Sequence, residues 1–131
     1  MNKKYFAKIL ARDNEGLQVI SAYCSGAEVK IEDIKYLPKN KIFLFPLKRS
    51  KIENESKEKK VNSICKFEFV DDVKSKGIKQ ENSKQKLELV AIDYLKNKDN
   101  YEINLIFTNN VYISLFTEII EVTFEDENEI Y

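Results

Sequence analysis

The chain has 131 residues, 43% of them hydrophobic, and its 22 basic and 22 acidic residues cancel to a net charge of zero. A chain of this length predicts a single domain, residues 1–131, whose core needs neither a metal nor a disulfide for stability. Zero net charge excludes a general electrostatic attraction to nucleic acid or anionic membranes, so nucleic-acid binding is not favoured and would depend on a local patch.

The N-terminal part of the chain predicts one strand and one helix. Every second residue of Tyr5–Ala11 is apolar, which is the pattern of a half-buried strand. Asp13 can cap a helix N-terminus, and apolar residues then recur at helical spacing as far as Gly26. We identify no signal peptide, and no apolar run approaches the length of a membrane span, so we expect a cytoplasmic protein.

From Glu28 onward the sequence has the composition and period of β-strands joined by short connections. The predicted strands span Val29–Leu37, Ile42–Leu47, Val61–Val73, Leu87–Tyr94, Tyr101–Phe107 and Val111–Phe124. The charged residues 50–60 predict a mobile loop, and residues 126–131 predict an acidic tail that frays. Asn109 and Asn110 form a two-residue hairpin signal, because asparagine tolerates a positive φ.

Three of these strands change hydrophobic face partway along their length. The changes fall across Glu32-Asp33, across Asp71-Asp72 and after Leu115. An alternating pattern can change phase only through a bulge or a bend, and bent strands build curved sheets. We therefore predict an α+β fold: a predominantly antiparallel, strongly curved or barrel-like sheet of about seven strands, with one helix after the first strand.

The alternation and the positions of the cysteines both bear on the core. Cys65, Phe67 and Phe69 share one strand phase, which Val70 does not continue. Cys24 and Cys65 lie far apart in sequence among apolar neighbours, and no C-x-x-C motif is present. We therefore expect buried thiols rather than a zinc or thioredoxin-type centre.

The sequence offers little catalytic chemistry. It has no histidine, which excludes Ser-His-Asp and Cys-His catalysis, and its three glycines build no phosphate loop or dinucleotide fingerprint. Asp71 and Asp72 point to opposite faces of a strand unless a bulge turns them together, so we expect a solvated bulge. No catalytic residue, no cofactor and no metal site is predicted.

Two groups of side chains are candidates for binding, namely Phe45, Lys48 and Arg49, and Lys74, Lys76 and Lys79. In the first group, an apolar strand followed by basic residues predicts a protein contact, in which Arg49 pairs with a carboxylate or phosphate. The alternative role for Arg49 is a salt bridge to Glu53 or to another carboxylate of the fold. The second group predicts binding of RNA or an anionic surface, although charged runs are more often solvated surface.

Three stretches of the chain resemble a family of short alphaproteobacterial proteins known as domain of unknown function 2948. They are ARDNEGLQVISAYCSGAEVKIEDIKYLPKNKIF, FVDDVKSKGI and EIIEVTFED, and they extend from about residue 10 to about residue 126. The family segment Asn-Arg-Phe-x-Trp-Glu corresponds to residues 48–53, where Arg49 and Glu53 match and the Asn, Phe and Trp positions differ. The resemblance implies one domain in the cytoplasm, and it implies no activity, substrate or cofactor.

Three hypotheses of function follow from these features. The leading one is a non-catalytic interaction module with a protein partner. The alternative is binding of RNA or an anionic ligand through the lysines, and a small enzyme that uses carboxylate and lysine chemistry ranks lowest. A homodimer is compatible with all three, because an apolar edge strand can pair with its own copy. Phe116 and Ile119 are further candidates for a shared surface.

Overall fold

The computed structural model describes residues 7–54, 57–79 and 84–130 of the chain. Within these ranges the fold consists of ten strands, one α-helix and one short 3-10 helix. The elements are β1 Lys8–Ala11, α1 Asn14–Cys24, β2 Ala27–Lys30, the 3-10 helix Ile31–Asp33, β3 Lys35–Leu37, β4 Ile42–Asn54, β5 Lys57–Phe67, β6 Val70–Lys76, β7 Lys86–Lys96, β8 Tyr101–Phe107, β9 Val111–Thr117 and β10 Val122–Ile130.

Helix α1 begins and packs as the sequence predicts. The Asp13 side chain accepts a hydrogen bond from the Gly16 amide at 2.8 Å, which satisfies one of the free donors of the first turn. Leu17, Ile20 and Cys24 form the buried stripe of the helix. The helix contacts β7, β1 and β4, so it packs on the part of the sheet that includes the strands on both sides of the short strand β2.

All ten strands of the described chain belong to one antiparallel sheet. The strand order is β1-β10-β5-β4-β2-β7-β8-β9-β6, and β3 pairs with β4 beside β2. The predicted antiparallel sheet and the helix after the first strand are confirmed, but the number of about seven strands is wrong. The sheet is also open rather than a barrel, because β1 and β6 form its two ends.

The larger number of strands arises where the predicted long strands change face. The 3-10 helix separates β2 from β3, Glu68 and Phe69 separate β5 from β6, and residues 118–121 separate β9 from β10. Glu68 N donates to Glu121 O at 3.0 Å, and Glu118 N donates to Phe69 O at 3.3 Å. The link of residues 68–69 and the link of residues 118–121 therefore lie side by side, and we call this part of the sheet the corner.

Two segments that the sequence predicted to be irregular are strands. Ser50 pairs with Lys60 and Lys51 with Lys59, so the charged segment 50–60 belongs to the β4–β5 hairpin, apart from residues 55–56, which lie outside the described ranges. Strand β10 extends through the predicted tail to Ile130, and only Tyr131 lies outside the description. The backbone of both segments is therefore paired rather than irregular, because charged side chains indicate contact with solvent and not a backbone without pairing.

The core is formed by the inward-facing side chains of the sheet and the buried stripe of α1. Phe45 is at its centre, with its ring centroid 6.2 Å from those of Phe43 and Phe67 and 6.4 Å from that of Phe107. All four phenylalanines are at most 3% exposed. The predicted hairpin turns at Asn109 and Asn110, which have φ values of 63° and 60°, but Phe107 pairs with Val111, so its loop has three residues rather than the predicted two.

Candidate functional site

The inward face of β4, β5 and β10 ends in a polar network. On β4 the side chains of Phe43, Phe45 and Leu47 are buried, and Arg49 continues the same phase at 9% exposure. Arg49 donates from Nε to Asp126 Oδ1 at 2.9 Å and from Nη2 to the second carboxylate oxygen. This is a bidentate ion pair, the geometry that a guanidinium and a carboxylate favour.

The carboxylate of Asp126 is held by two further donors. Ser63 Oγ donates to Oδ1 at 2.6 Å, and the Ala7 amide donates to Oδ2 at 2.9 Å. Burial raises the pKa of Asp126, but the hydrogen bonds from Arg49, Ser63 and Ala7 and the charge of Arg49 outweigh that effect and lower it. Asp126 is therefore an ionised carboxylate of the fold rather than part of a fraying tail.

Two aromatic rings enclose the Arg49 guanidinium. Its Cζ atom lies 5.3 Å from the centroid of the Tyr23 ring and 5.8 Å from that of Phe124. The structure therefore favours the second role predicted for Arg49, an ion pair with a carboxylate of the fold, and that carboxylate is Asp126. The Glu53 side chain, the other predicted partner, lies outside the described part of the chain. Phe45 has no exposed surface, so it offers no contact to a partner.

Lys48 lies apart from Arg49, on the opposite face of β4. It lines a cleft of about 170 Å³ together with Glu28, Lys30, Asp33, Pro46, Leu47 and Asn62. The cleft follows the join between β2 and β4, where Glu28 and Lys48 are the registered pair. Glu28 Oε1 is buried without a hydrogen bond, although Lys86 Nζ lies 3.3 Å away in an ion pair. Carboxylates and lysines balance in this cleft, so it has no clear preference for an anion.

The two cysteines, distant in sequence, meet in the core. Cys24 on α1 and Cys65 on β5 are both fully buried. Burial raises the pKa of Cys65 well above its ordinary value, and a hydrogen bond with Cys24 adds to the effect. A thiol of this kind is a poor nucleophile, in agreement with the predicted structural role.

An exposed apolar surface lies at the corner. Leu37 at the end of β3, Phe69 between β5 and β6, and Ile119 between β9 and β10 are 43%, 38% and 44% exposed. We call these three residues the corner surface. The bonds between the two links place Phe69 beside Glu118 and Ile119. The Val70 amide donates to Lys41 O at 2.8 Å, which joins the β3–β4 turn after Leu37 to the same site.

The backbone of Phe69 is in the left-handed region, with φ at 59°. This region is unfavourable for a residue with a bulky side chain, and glycine or asparagine normally occupies it. The conformation turns Phe69 outward, although in the sequence it shares a phase with the buried residues Cys65 and Phe67. The period of a strand does not continue through a left-handed residue.

Three carboxylates lie on the Phe69 side of the corner surface, namely Asp71, Asp72 and Glu118. A register shift between Val70 and Asp72 marks the bulge there, and Asp71 forms a 3.0 Å ion pair with Lys41. The Tyr36 hydroxyl donates to Val70 O at 3.1 Å. Burial raises the pKa of Tyr36, and the charges of Asp72 and Asp71 raise it further. The bulge thus brings both carboxylates close to one phenol, which a regular strand could not do.

The second predicted group lies on the outer face of the sheet near its β6 end. Lys74 and Lys76 on β6 and Lys79 beyond it are exposed. Lys74 pairs in register with Ser114 and Lys76 with Tyr112. Lys74 Nζ lies 5.3 Å from the centroid of the Phe116 ring. We call Lys74, Lys76, Tyr112 and Phe116 the lysine face.

Sequence reasoning missed two residues that matter at these surfaces. The signal for Phe69 was the loss of alternation directly after it, at Val70. The signal for Tyr112 was its outward phase on β9, opposite the inward phase of Val111, Ile113 and Leu115. Among the described residues, no helix is long and apolar enough to cross a membrane. The same residues include no group of three or more side chains suited to hold a metal ion.

The chain belongs to the family described as Protein of unknown function (DUF2948), whose model matches residues 7–131. The match begins just before β1 and includes the corner surface, the lysine face and the Arg49–Asp126 pair. No curated protein and no solved structure matches the chain. The family relation therefore supports the identification of the chain and leaves its activity to be inferred from the surfaces described above.

Proposed function

We propose that this member of the family is an interaction module whose protein partner docks on the corner surface. The observation that carries the proposal is Phe69, a bulky residue with φ at 59° whose ring is 38% exposed. A strained backbone can be kept because it improves packing in the core. At Phe69 the strained backbone instead directs an apolar side chain to solvent. Strain without a packing benefit is concentrated at functional sites.

The surrounding structure holds Phe69 in this conformation. Its carbonyl accepts from the Glu118 amide, and the amides before and after it are bonded to Glu121 O and Lys41 O. The Asp71–Lys41 ion pair spans the same region. These contacts fix the backbone on both sides of Phe69, so little conformational entropy is lost when the ring binds a partner. Preorganisation of this kind favours binding.

The charges around the corner surface indicate the chemistry of the partner. Asp71, Asp72 and Glu118 are exposed beside Phe69, and Lys41 forms an ion pair with Asp71. An apolar centre with an acidic rim is complementary to a protein surface that has an apolar pocket bordered by lysine or arginine. Phe69 is then the aromatic anchor, because buried aromatics dominate interface energies.

The proposal is tested by affinity capture from a lysate of the source organism, with wild-type protein, Phe69→Gly and the control Leu10→Gly. Leu10 is 52% exposed on the edge strand β1, where it pairs with Thr123 outside the corner surface. A captured protein is then purified and its dissociation constant measured against each variant. We expect at least a tenfold weaker affinity for Phe69→Gly, because hot-spot residues contribute about 2 kcal/mol or more, and no change for Leu10→Gly.

Two results would contradict this function. One is a purified partner that binds Phe69→Gly as tightly as wild type. The other is equal loss of binding in both glycine variants, which would show a general effect on the fold. If sedimentation shows that the captured protein is a second copy of the chain, dissociation of that dimer by Phe69→Gly would still support the corner surface as the contact and would contradict a basic partner.

A further inference from the structure

We infer that the lysine face is a second binding site, and that its ligand is single-stranded nucleic acid. This site is separate from the proposed protein contact at the corner, and it depends on different residues. The inference rests on the placement of two aromatic rings and two lysines on neighbouring strands, which the sequence alone did not bring together.

The aromatic residues come from a single strand. Tyr112 is 42% exposed and Phe116 is half-buried, and both point outward because Val111, Ile113 and Leu115 point into the core. Tyr112 and Phe116 are four residues apart on the strand, a distance of about 13 Å. Two bases that stack on these rings would therefore have at least one other nucleotide between them. Base stacking on exposed aromatic residues of a sheet is the common mode of single-strand binding, and it tolerates any sequence.

The lysines are placed to follow the phosphates. Lys74 and Lys76 extend from β6, one strand outward from the rings, at the end of the sheet where the backbone of a ligand can pass. No carboxylate of the described residues forms an ion pair with either lysine, so no ion pair neutralises their charges, although Lys74 also contacts the Phe116 ring. Lys79 is also exposed and follows shortly after β6 in the chain.

The polar groups between the rings add hydrogen-bonding capacity. Ser114 lies between Tyr112 and Phe116 on β9, and its Oγ donates to Asn104 Oδ1 at 2.7 Å. Asn104 Nδ2 donates to Glu102 at 3.2 Å. Hydroxyl and amide groups of this kind contact base edges in single-strand complexes.

The acidic residues restrict where the phosphates can lie. Asp72 and Glu102 both pair in register with Phe116, so they flank that ring. Tyr112 is flanked instead by Lys76 and Ile106. Phosphates are therefore placed at the Tyr112 end, and Tyr112 with Lys76 forms the centre of the site. The local arrangement overcomes the zero net charge of the chain because electrostatic attraction to a phosphate falls off within about 10 Å at moderate salt.

The test is the fluorescence anisotropy of a labelled oligouridylate titrated with the full chain at a series of salt concentrations. We expect saturable binding at low salt. The logarithm of the association constant should fall with the logarithm of salt concentration by about 0.7 for each phosphate contacted, hence roughly 1.4 for Lys74 and Lys76 together. Lys76→Ala should reduce that slope by about 0.7, whereas the control Lys35→Ala, an exposed lysine of β3, should leave it unchanged.

The stacking contribution is measured with Tyr112→Ala and Tyr112→Leu. Both should weaken binding at least about fivefold, because neither side chain stacks on a base. Leucine keeps an apolar strand residue, so a loss with both variants is not a failure to fold. The site is overturned if no binding is detected at low salt, if Lys35→Ala has the same effect as Lys76→Ala, or if heparin binds as tightly as the oligonucleotide and the Tyr112 variants bind normally.

Discussion

The Arg49–Asp126 pair and the corner surface each include an energetically unfavourable feature of the same sheet. They differ in what compensates the unfavourable free energy. At the pair, two buried charges are neutralised by each other, and the carboxylate accepts from three residues. At the corner, a strained backbone presents an apolar ring to solvent. The first arrangement is complete within the chain and therefore serves stability. The second is complete only when something covers Phe69.

The largest expected effect concerns the buried pair. Asp126→Ala leaves the Arg49 charge buried without its partner, and removal of one member of such a pair costs about 3–5 kcal/mol of unfolding free energy. Urea denaturation measures this loss against the control Asp93→Ala, which changes an exposed carboxylate of β7 and should cost less than about 0.5 kcal/mol. Equal losses of unfolding free energy for Asp126→Ala and Asp93→Ala would show that the buried network contributes no more to stability than an exposed carboxylate.

The replacement of both charges sharpens the same comparison. Arg49→Met combined with Asp126→Leu fills the site with apolar groups of similar length, so it should cost less than the sum of the two single changes. A double variant as unstable as that sum would show that the charges do not act as a pair.

The second effect is the pH dependence of stability. The pKa of Asp126 is lowered in the folded chain, so its contribution is present above the unfolded value of about 4 and is lost as pH falls through the folded pKa. We expect the difference in unfolding free energy between wild type and Asp126→Asn to be largest near neutral pH and to shrink below about pH 4. A difference that is constant from neutral to acidic pH would contradict the ionised network.

The smallest effect concerns strain at the corner. Phe69→Ala keeps the left-handed cost, whereas Phe69→Gly removes it, so the glycine variant should be more stable than the alanine variant by about 1 kcal/mol. At Leu10, in an ordinary strand, the order should reverse, with glycine less stable by about 0.5–1 kcal/mol. Thermal and urea unfolding of the four variants test this. If the glycine variant is less stable than the alanine variant at position 69 as well as at position 10, Phe69 is not strained.

Much of the fold could be predicted from alternation alone. The three phase changes located the breaks between strands, and the asparagine pair located the β8–β9 turn. Alternation could not supply the number of strands. Each break divides one predicted strand into two shorter strands, and the two can pair with different neighbours in the sheet. Alternation also could not show that Phe69 turns outward, since a left-handed residue leaves no mark in the sequence unless it is glycine or asparagine.

The buried pair could have been found by a simple extension of the same reasoning. Val122 and Phe124 face inward, and Asp126 is next in that phase. Phe45 and Leu47 lead in the same way to Arg49 on β4. An opposite pair of charges that continues two buried phases predicts an ion pair in the core. The composition of residues 126–131 obscured it, because Asp126 has the same charge as its exposed neighbours Glu125 and Glu127.

The most direct test of the corner surface is photo-crosslinking in cells of the source organism, with a benzophenone amino acid placed at position 69 and, as a control, at position 10. We predict a discrete protein adduct from position 69 that is absent from position 10. The adduct should be lost when Ile119→Ser is added, because Ile119 belongs to the same surface. An adduct at position 10 but none at position 69 would contradict docking at the corner.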